Sequence, residues 1–215
     1  MKTFKFGDIK VYLHKNDLPD SLKLPKEIAV DTETTGLNLS RDRLCLVQIG
    51  FNNKECHAVK FDIEYLKKQK IPKNIVNLFT NQEIQKIFHF ARFDLSVIKK
   101  FFNVHCNNVF CTKIASKLVR TYTDKHGLKD LCKELLEKDL NKTQQSSDWS
   151  TENLSSNQIK YAINDVIHLF ELKKILTSML KREDRFEISK KLFNFLSSRI
   201  ELDLMGWNDI DIFSH

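Results

Sequence analysis

Asp31 and Glu33 stand two residues apart at the end of the apolar run Ile28-Ala29-Val30. On a strand, side chains two apart share a face, so both carboxylates can reach one point. Two anions held together cost several kcal/mol unless a cation neutralises them. The donors are oxygens, which suits a hard divalent ion such as Mg²⁺ or Mn²⁺. The pair alone is a weak signal. With 16 Asp and 12 Glu in 215 residues, about one Asp-x-Glu is expected by chance. A second one, Asp62-Ile63-Glu64, opens a charged helical run and reads as an ordinary helix N-terminus, where carboxylates offset the dipole. The company of the first pair sets it apart. Asp94 follows the apolar stretch Ile87–Phe90, and Tyr161 and Asp165 lie four apart in a helical pattern, hence on one face. A phenol of pKa near 10 is a poor base at neutral pH, so Tyr161 reads as a group that orients water rather than one that removes its proton unaided.

These residues require elements to hold them. Short apolar runs bounded by turn residues predict strands over Lys10–His14, Glu27–Asp31, Arg43–Gly50, Glu55–Phe61 and Gln85–Phe90. Ile63–Lys70 and Asn74–Phe79 read as helical, and Ala91–Phe102 places Ala91, Leu95, Ile98 and Phe102 on one face. The second half is helical throughout: Cys111–Arg120, Leu128–Glu137, Gln158–Lys181 and Arg185–Leu202. Ser155 and Gln158 have capping-box spacing before a core stripe of Ile159, Ile163, Val166 and Phe170. Lys138–Ser150 is polar and loop-like. No repeat, low-complexity linker or second core interrupts the chain. The expectation is one α/β domain over residues 1–215, a mixed sheet of about five strands followed by a helical half.

The order of strand-Asp-x-Glu, then Asp at a strand–helix junction, then helix-Tyr-x-x-x-Asp resembles the DEDDy branch of the 3′-5′ exonucleases. The resemblance implies a ribonuclease H-like fold with a mixed sheet flanked by helices. It implies that Asp31, Glu33, Asp94 and Asp165 bind two divalent metal ions, Mg²⁺ or Mn²⁺, and that Tyr161 positions the attacking water. Two such ions about 4 Å apart suit in-line phosphoryl displacement. The segment from Lys142 through Ser147-Asp148-Trp149 is similar to the Lys…Ser-Asp-Trp segment of the ribonuclease D group. Leu37 sits where related exonucleases wedge an apolar side chain between terminal bases, and Gly36 would let backbone approach the nucleotide. Substrate contacts are thus implied at Thr32, Thr34, Gly36, Leu37, His89 and Trp149. For Trp149, packing beside the tyrosine helix is an equal alternative. For His89, a strand histidine satisfied by backbone groups is another. His168 is assigned to packing.

The resemblance runs from about residue 27 to residue 180. Ribonuclease D proper carries helical accessory domains of the HRDC type, for which this length has no room. The segments Arg41–Gln48 and Trp207–Phe213 look like those of the short alphaproteobacterial oligoribonuclease family, nanoRNase C. That family implies short RNA substrates, notably dinucleotides, and a homo-oligomer in the form of an octameric ring. Rival expectations are a ribonuclease D-type enzyme trimming tRNA or other structured RNA, an enzyme that also degrades DNA, and a catalytically inactive nucleic-acid-binding module. An intact set of four acids weighs against the last, because binding a polyanion alone would favour their loss.

Composition agrees with these expectations. Hydrophobic residues make up 41% and charged residues 29%, the balance of a globular chain. No run approaches the roughly 20 apolar residues of a membrane helix, and Met1–Asp8 lacks the apolar stretch of a secretory signal. The five cysteines are odd in number and form no Cys-x-x-Cys pair, which fits a reducing cytoplasm. The formal charge is +7, yet Glu201, Asp203, Asp209 and Asp211 follow the last basic residue, Arg199. Apart from that tail of −4 the chain carries +11. A basic body fits either a nucleic-acid partner or a lysine-rich surface kept for solubility. Residues 200–215 mix those acids with Trp207, Ile210, Ile212 and Phe213. The expectation is that this tail docks on a neighbouring subunit, with folding back on its own domain as the alternative.

Overall fold

The computed structural model describes residues 1–140 and 147–215. Seven strands form one mixed sheet: β1 (Lys2–Phe6), β2 (Ile9–Lys15), β3 (Glu27–Thr34), β4 (Leu44–Gly50), β5 (Glu55–Lys60), β6 (Gln85–Phe88) and β7 (Val109–Cys111), in the order β1-β2-β5-β4-β3-β6-β7. The five expected strands are its middle. The two additional ones are its edges. β1 pairs antiparallel with β2 through a two-residue turn in which Gly7 takes a positive φ of 59°, a conformation that favours glycine. β7 is only three residues long and pairs parallel with β6.

β3 lies at the centre because Ile28-Ala29-Val30 is apolar on both faces and wholly buried. It runs antiparallel to β4 and parallel to β6. Its pairing with β6 covers only Glu27↔Gln85 to Ala29↔Ile87, so Asp31 to Thr34 extend past the end of that neighbour.

The helices are α1 (Ile63–Lys67), α2 (Lys73–Thr80), α3 (Ala91–Phe102), α4 (Thr112–Val119), α5 (Leu128–Leu136), α6 (Ser156–Ile167), α7 (Leu169–Arg182) and α8 (Phe186–Leu202). The α3 face expected from spacing is buried at Ala91, Leu95, Ile98 and Phe102. α6 opens with the expected capping box: Gln158 N donates to Ser155 Oγ at 3.2 Å, and Ser155 N donates to Gln158 Oε1 at 2.9 Å. The single helix expected over 158–181 instead divides at His168, which keeps near-helical dihedrals (φ −87°, ψ −12°) while ending one helix and preceding the next. The two halves serve different partners. α6 lies on β3 and β4, whereas α7 packs on α4 and α5. Cys45, Cys56, Cys111 and Cys132 are buried as small apolar groups. Among the described residues, no helix is long and apolar enough to cross a membrane.

Candidate active site

The end of β3 that outruns β6 is where the chemistry gathers. Alternation turns Asp31 and Glu33 to one side and Thr32 and Thr34 to the other. A register irregularity against β4 falls between Glu33 and Thr34, a device that re-aims side chains beside sites. Past β6 the chain turns directly into α3, whose first turn delivers Asp94 into the space β6 has vacated. The hydroxyl of Thr32 donates to Asp94 Oδ1 at 2.7 Å, and both residues are buried. From the other side, α6 presents Tyr161 and Asp165 one turn apart, with the Tyr161 hydroxyl hydrogen-bonded to Asp165.

One cavity of about 670 Å³ is lined by Asp31, Thr32, Glu33, Thr34, Gly36, Leu37, His89, Asp94, Trp149, Tyr161 and Asp165. Every site residue expected from the sequence therefore reaches the same space. Asp31, Glu33 and Asp165 each offer an oxygen, and these oxygens lie within 4.8 Å of one another. Asp94 stands next to that trio rather than within it.

The electrostatics of the cluster are one-sided. Burial pushes the Asp31 carboxyl well above the usual carboxylate range, and the charges of Asp94, Asp165 and Glu33 push it further. Glu33 is raised by burial and then by Asp165 and Asp94. Burial also raises Asp94, against the hydrogen bond from Thr32 that favours its ionised form. Tyr161 is raised above its ordinary value by burial, by Asp165, Glu33 and Asp31, and by its own hydrogen bond, so it is a neutral hydroxyl at any physiological pH. Among the described residues, the leading influences on Asp31, Glu33 and Asp94 are burial, the neighbouring carboxylates and hydrogen bonds, with no cation among them. Clustered, half-buried carboxylate oxygens without a counter-charge among the described residues fit a hard divalent cation.

The surrounding residues behave in ways the sequence did not announce. Trp149 is 2% exposed, and its ring packs on Tyr161 with centroids 6.1 Å apart. Its carbonyl accepts from the buried Lys60 Nζ at 2.6 Å, and Gln158 Nε2 at the start of α6 donates to Asp148 O at 3.0 Å. Packing and cavity lining are thus combined in one side chain. Lys142 to Ser146 of the same segment lie outside the described residues. Thr34 donates to the carbonyl of Gly36. A Cβ on Gly36 would run into the Asp42 carboxylate, so this glycine answers to a close intramolecular approach. Leu37 projects with 82% of its surface exposed. His89 Nδ1 meets Thr112 Oγ1 at 3.0 Å. Sequence reasoning passed over Phe90, Phe93, Lys113, Lys129 and Asn164, which also line the cavity. None belongs to the acid pattern, and only their neighbours in space give them meaning.

The tail divides in two. Asp203 is clamped by Arg92 Nε at 2.6 Å and by Arg199 Nη2 at 2.7 Å, and Arg92 also donates to Asn208 O at 2.6 Å. Its start folds back on its own domain, where the sequence favoured contact with a neighbour, because two arginines supply the counter-charge locally. Met205, Trp207, Ile210, Ile212 and Phe213 nevertheless remain exposed.

Comparison with known proteins agrees with this geometry. Residues 14–181 match the family model described as 3′-5′ exonuclease. The chain is similar to Brucella melitensis NrnC bound to pGG, with 47% identity, a TM-score of 0.88 and coverage of 95% of this chain and 98% of that one. NrnC has also been observed with bound Mg²⁺. This chain is 31% identical to a ribonuclease D from Jannaschia sp. over 74% of its own length and 40% of that protein. A DNA polymerase I from Aquifex aeolicus is 35% identical over 72% of this chain and 24% of the polymerase. The chain thus spans less than half the length of these two curated relatives.

Proposed function

We propose, for a chain that belongs to the 3′-5′ exonuclease family, that it hydrolyses RNA from the 3′ end, releases nucleoside 5′-monophosphates and prefers short oligoribonucleotides. The observation that carries this reading is the approach of Asp31, Glu33 and Asp165 to within 4.8 Å of one another, with Asp94 beside them. Asp31, Glu33, Asp94 and Asp165 would hold two divalent ions, Mg²⁺ or Mn²⁺, which when bound neutralise the cluster and provide Lewis acidity at the scissile phosphate.

The chain's own groups do the rest. The attacking water gives up a proton to solvent and forms a bond to phosphorus as the bond to the leaving 3′-oxygen breaks, and that oxygen takes a proton from solvent. Tyr161, held by Asp165 and backed by Trp149, orients the water through a hydroxyl that does not ionise. Thr32 keeps Asp94 in place. Lys113 and Lys129 at the cavity wall meet backbone phosphates. Leu37, exposed at the mouth, separates terminal bases. The NrnC complex with pGG supports a preference for short substrates. The exposed apolar part of the tail supports assembly into a homo-oligomer, an octameric ring in this reading. The unpaired cysteines support a cytoplasmic location.

The deciding experiment is a time course on 3′-labelled and 5′-labelled RNA of two, five and twenty nucleotides, and on DNA of the same lengths, with Mg²⁺, Mn²⁺ or EDTA. Release of 5′-monophosphates, fastest from dinucleotides and abolished by EDTA, is the expected result. Equal rates at all RNA lengths would favour ribonuclease D-type trimming, and metal-independent hydrolysis would overturn the reading. Deleting Trp207–His215 should shift the protein to smaller species in light scattering. A full-length chain that is monomeric at micromolar concentration would end the assembly proposal alone.

A further inference from the structure

Beyond the acid cavity, a second cavity of about 810 Å³ lies between α3, the loop after β3 and the start of the tail. The two share Leu37, Phe90 and Phe93, so these side chains form the ridge between them. Phe93 is partly covered by the core. Phe90 is not: it is 46% exposed.

An exposed phenylalanine is ordinary on a surface, but this one is fixed with unusual care. It occupies the turn between β6 and α3, and the backbone on its N-terminal side is pinned three times to the β7–α4 junction. Thr112 Oγ1 donates to Phe88 O at 3.2 Å, Lys113 N donates to His89 O at 3.1 Å, and the Cys111 thiol also reaches His89 O at 3.2 Å. On the C-terminal side, Phe93 N donates to Phe90 O at 3.0 Å. The same junction places the Lys113 ammonium 4.1 Å from the centre of the Phe90 ring. An apolar ring is thus carried on an anchored stretch of backbone at the edge of an acid cluster, with a cation against it and open cavity beside it. A ring so placed loses little entropy on binding a flat partner, and the cation is positioned for an anion attached to that partner.

We propose that Phe90 is a stacking platform for one nucleobase of the substrate, and that Lys113 contacts the phosphate next to that base. This rests on the proposed function and adds to it a specificity-determining pair outside the acid pattern. Stacking is tolerant of base identity because every base has a π-face, so Phe90 contributes affinity for a nucleotide without selecting its sequence. Together with Leu37 it makes the ridge a recognition element for unpaired bases. A paired base could not leave its helix to reach it without an unstacking cost.

The test compares KM and kcat of the wild-type chain with Phe90→Ala, Phe90→Leu, Phe90→Tyr and Lys113→Gln on an RNA dinucleotide in Mg²⁺, and on the same dinucleotide with either base removed in turn. Phe90→Ala and Phe90→Leu are expected to raise KM about tenfold with kcat little changed, and Phe90→Tyr to restore it. One of the two abasic substrates should be indifferent to the Phe90 variants. Lys113→Gln should weaken binding and lower the slope of log KM against log salt by about one. Unchanged KM in both Phe90→Ala and Phe90→Leu, full function in Phe90→Leu, or an equal loss on both abasic substrates would overturn the proposal while the exonuclease reading stands. A wild-type chain that hydrolyses no RNA would overturn both.

Discussion

Two ionic clusters in this molecule, each with a buried charge at its heart, are built on opposite rules. Around Arg120, at the end of α4, the guanidinium is fully buried and fully matched. It donates to both carboxylate oxygens of Glu134, to Ser116 Oγ at 3.0 Å and to Lys125 O at 2.6 Å, while the Tyr122 hydroxyl donates to the same Glu134. Around Asp31 four carboxylates face one another with neutral hydroxyls beside them, Thr32 on Asp94 and Tyr161 on Asp165, and their charges raise one another's pKa values. The same chain can neutralise a buried charge with its own groups, and among the described residues it does not do so at the end of β3. A buried ion that serves the fold carries its counter-ion with it. A cluster of one sign keeps its cost for a ligand that will offset it.

The sharpest break of this contrast is removal of one acid. Asp31→Asn or Asp165→Ala should lower kcat by about 10³-fold or more in Mg²⁺, while the melting temperature of the metal-free protein stays level or rises as repulsion is relieved. Near-wild-type turnover in either variant would sink the assignment. At the matched cluster the outcome reverses. Glu134→Ala leaves Arg120 buried without its counter-ion and should cost about 2–3 kcal/mol of stability in denaturant titration, with kcat unaltered. A smaller substitution tests the water-orienting group: Tyr161→Phe should reduce kcat by about 10- to 100-fold, with KM changed much less. If KM rises instead with kcat intact, the tyrosine belongs to substrate binding.

The two clusters should also respond oppositely to pH. Asp31, Glu33 and Asp94 have raised pKa values in the native state, so the folded protein binds more protons than the unfolded chain once pH exceeds the ordinary carboxylate range. Stability of the metal-free protein should therefore fall as pH rises from about 4 toward and past neutrality, with a slope on the order of 1 kcal/mol per pH unit. Glu134 is held below its ordinary value by the hydrogen bonds from Arg120 and Tyr122. Its contribution is present at neutral pH and is lost as pH falls through the carboxylate range. Thermal unfolding from about pH 3 to 8, with and without saturating Mn²⁺, separates the two. Metal should flatten the first slope, and Glu134→Gln should alter only the acid side. A metal-free slope that is unchanged by Mn²⁺ would mean that the acids are not the metal site.

What the sequence by itself determined follows from short-range geometry. The period of a strand puts Asp31 and Glu33 on one face, and the period of a helix puts Tyr161 and Asp165 on another. The capping spacing of Ser155 and Gln158 marks where α6 begins, and the apolar stripes mark which faces are buried. Each depends only on residues a few positions apart, so each was legible without the fold. Tertiary structure decided the rest. Asp94 enters the cluster because β6 stops pairing with β3 at Ala29↔Ile87, a matter of register between strands some 60 residues apart. β7 is too short to carry a pattern and exists because β6 offers it an edge. The helix over 158–181 divides because its two halves meet different neighbours. The same holds for Gly36 against Asp42, and for Phe90, which reads as one more aromatic until the β7–α4 junction fixes it at the rim. Local periodicity sets which way a side chain points from its own element. Only the packing of distant elements sets what it meets there.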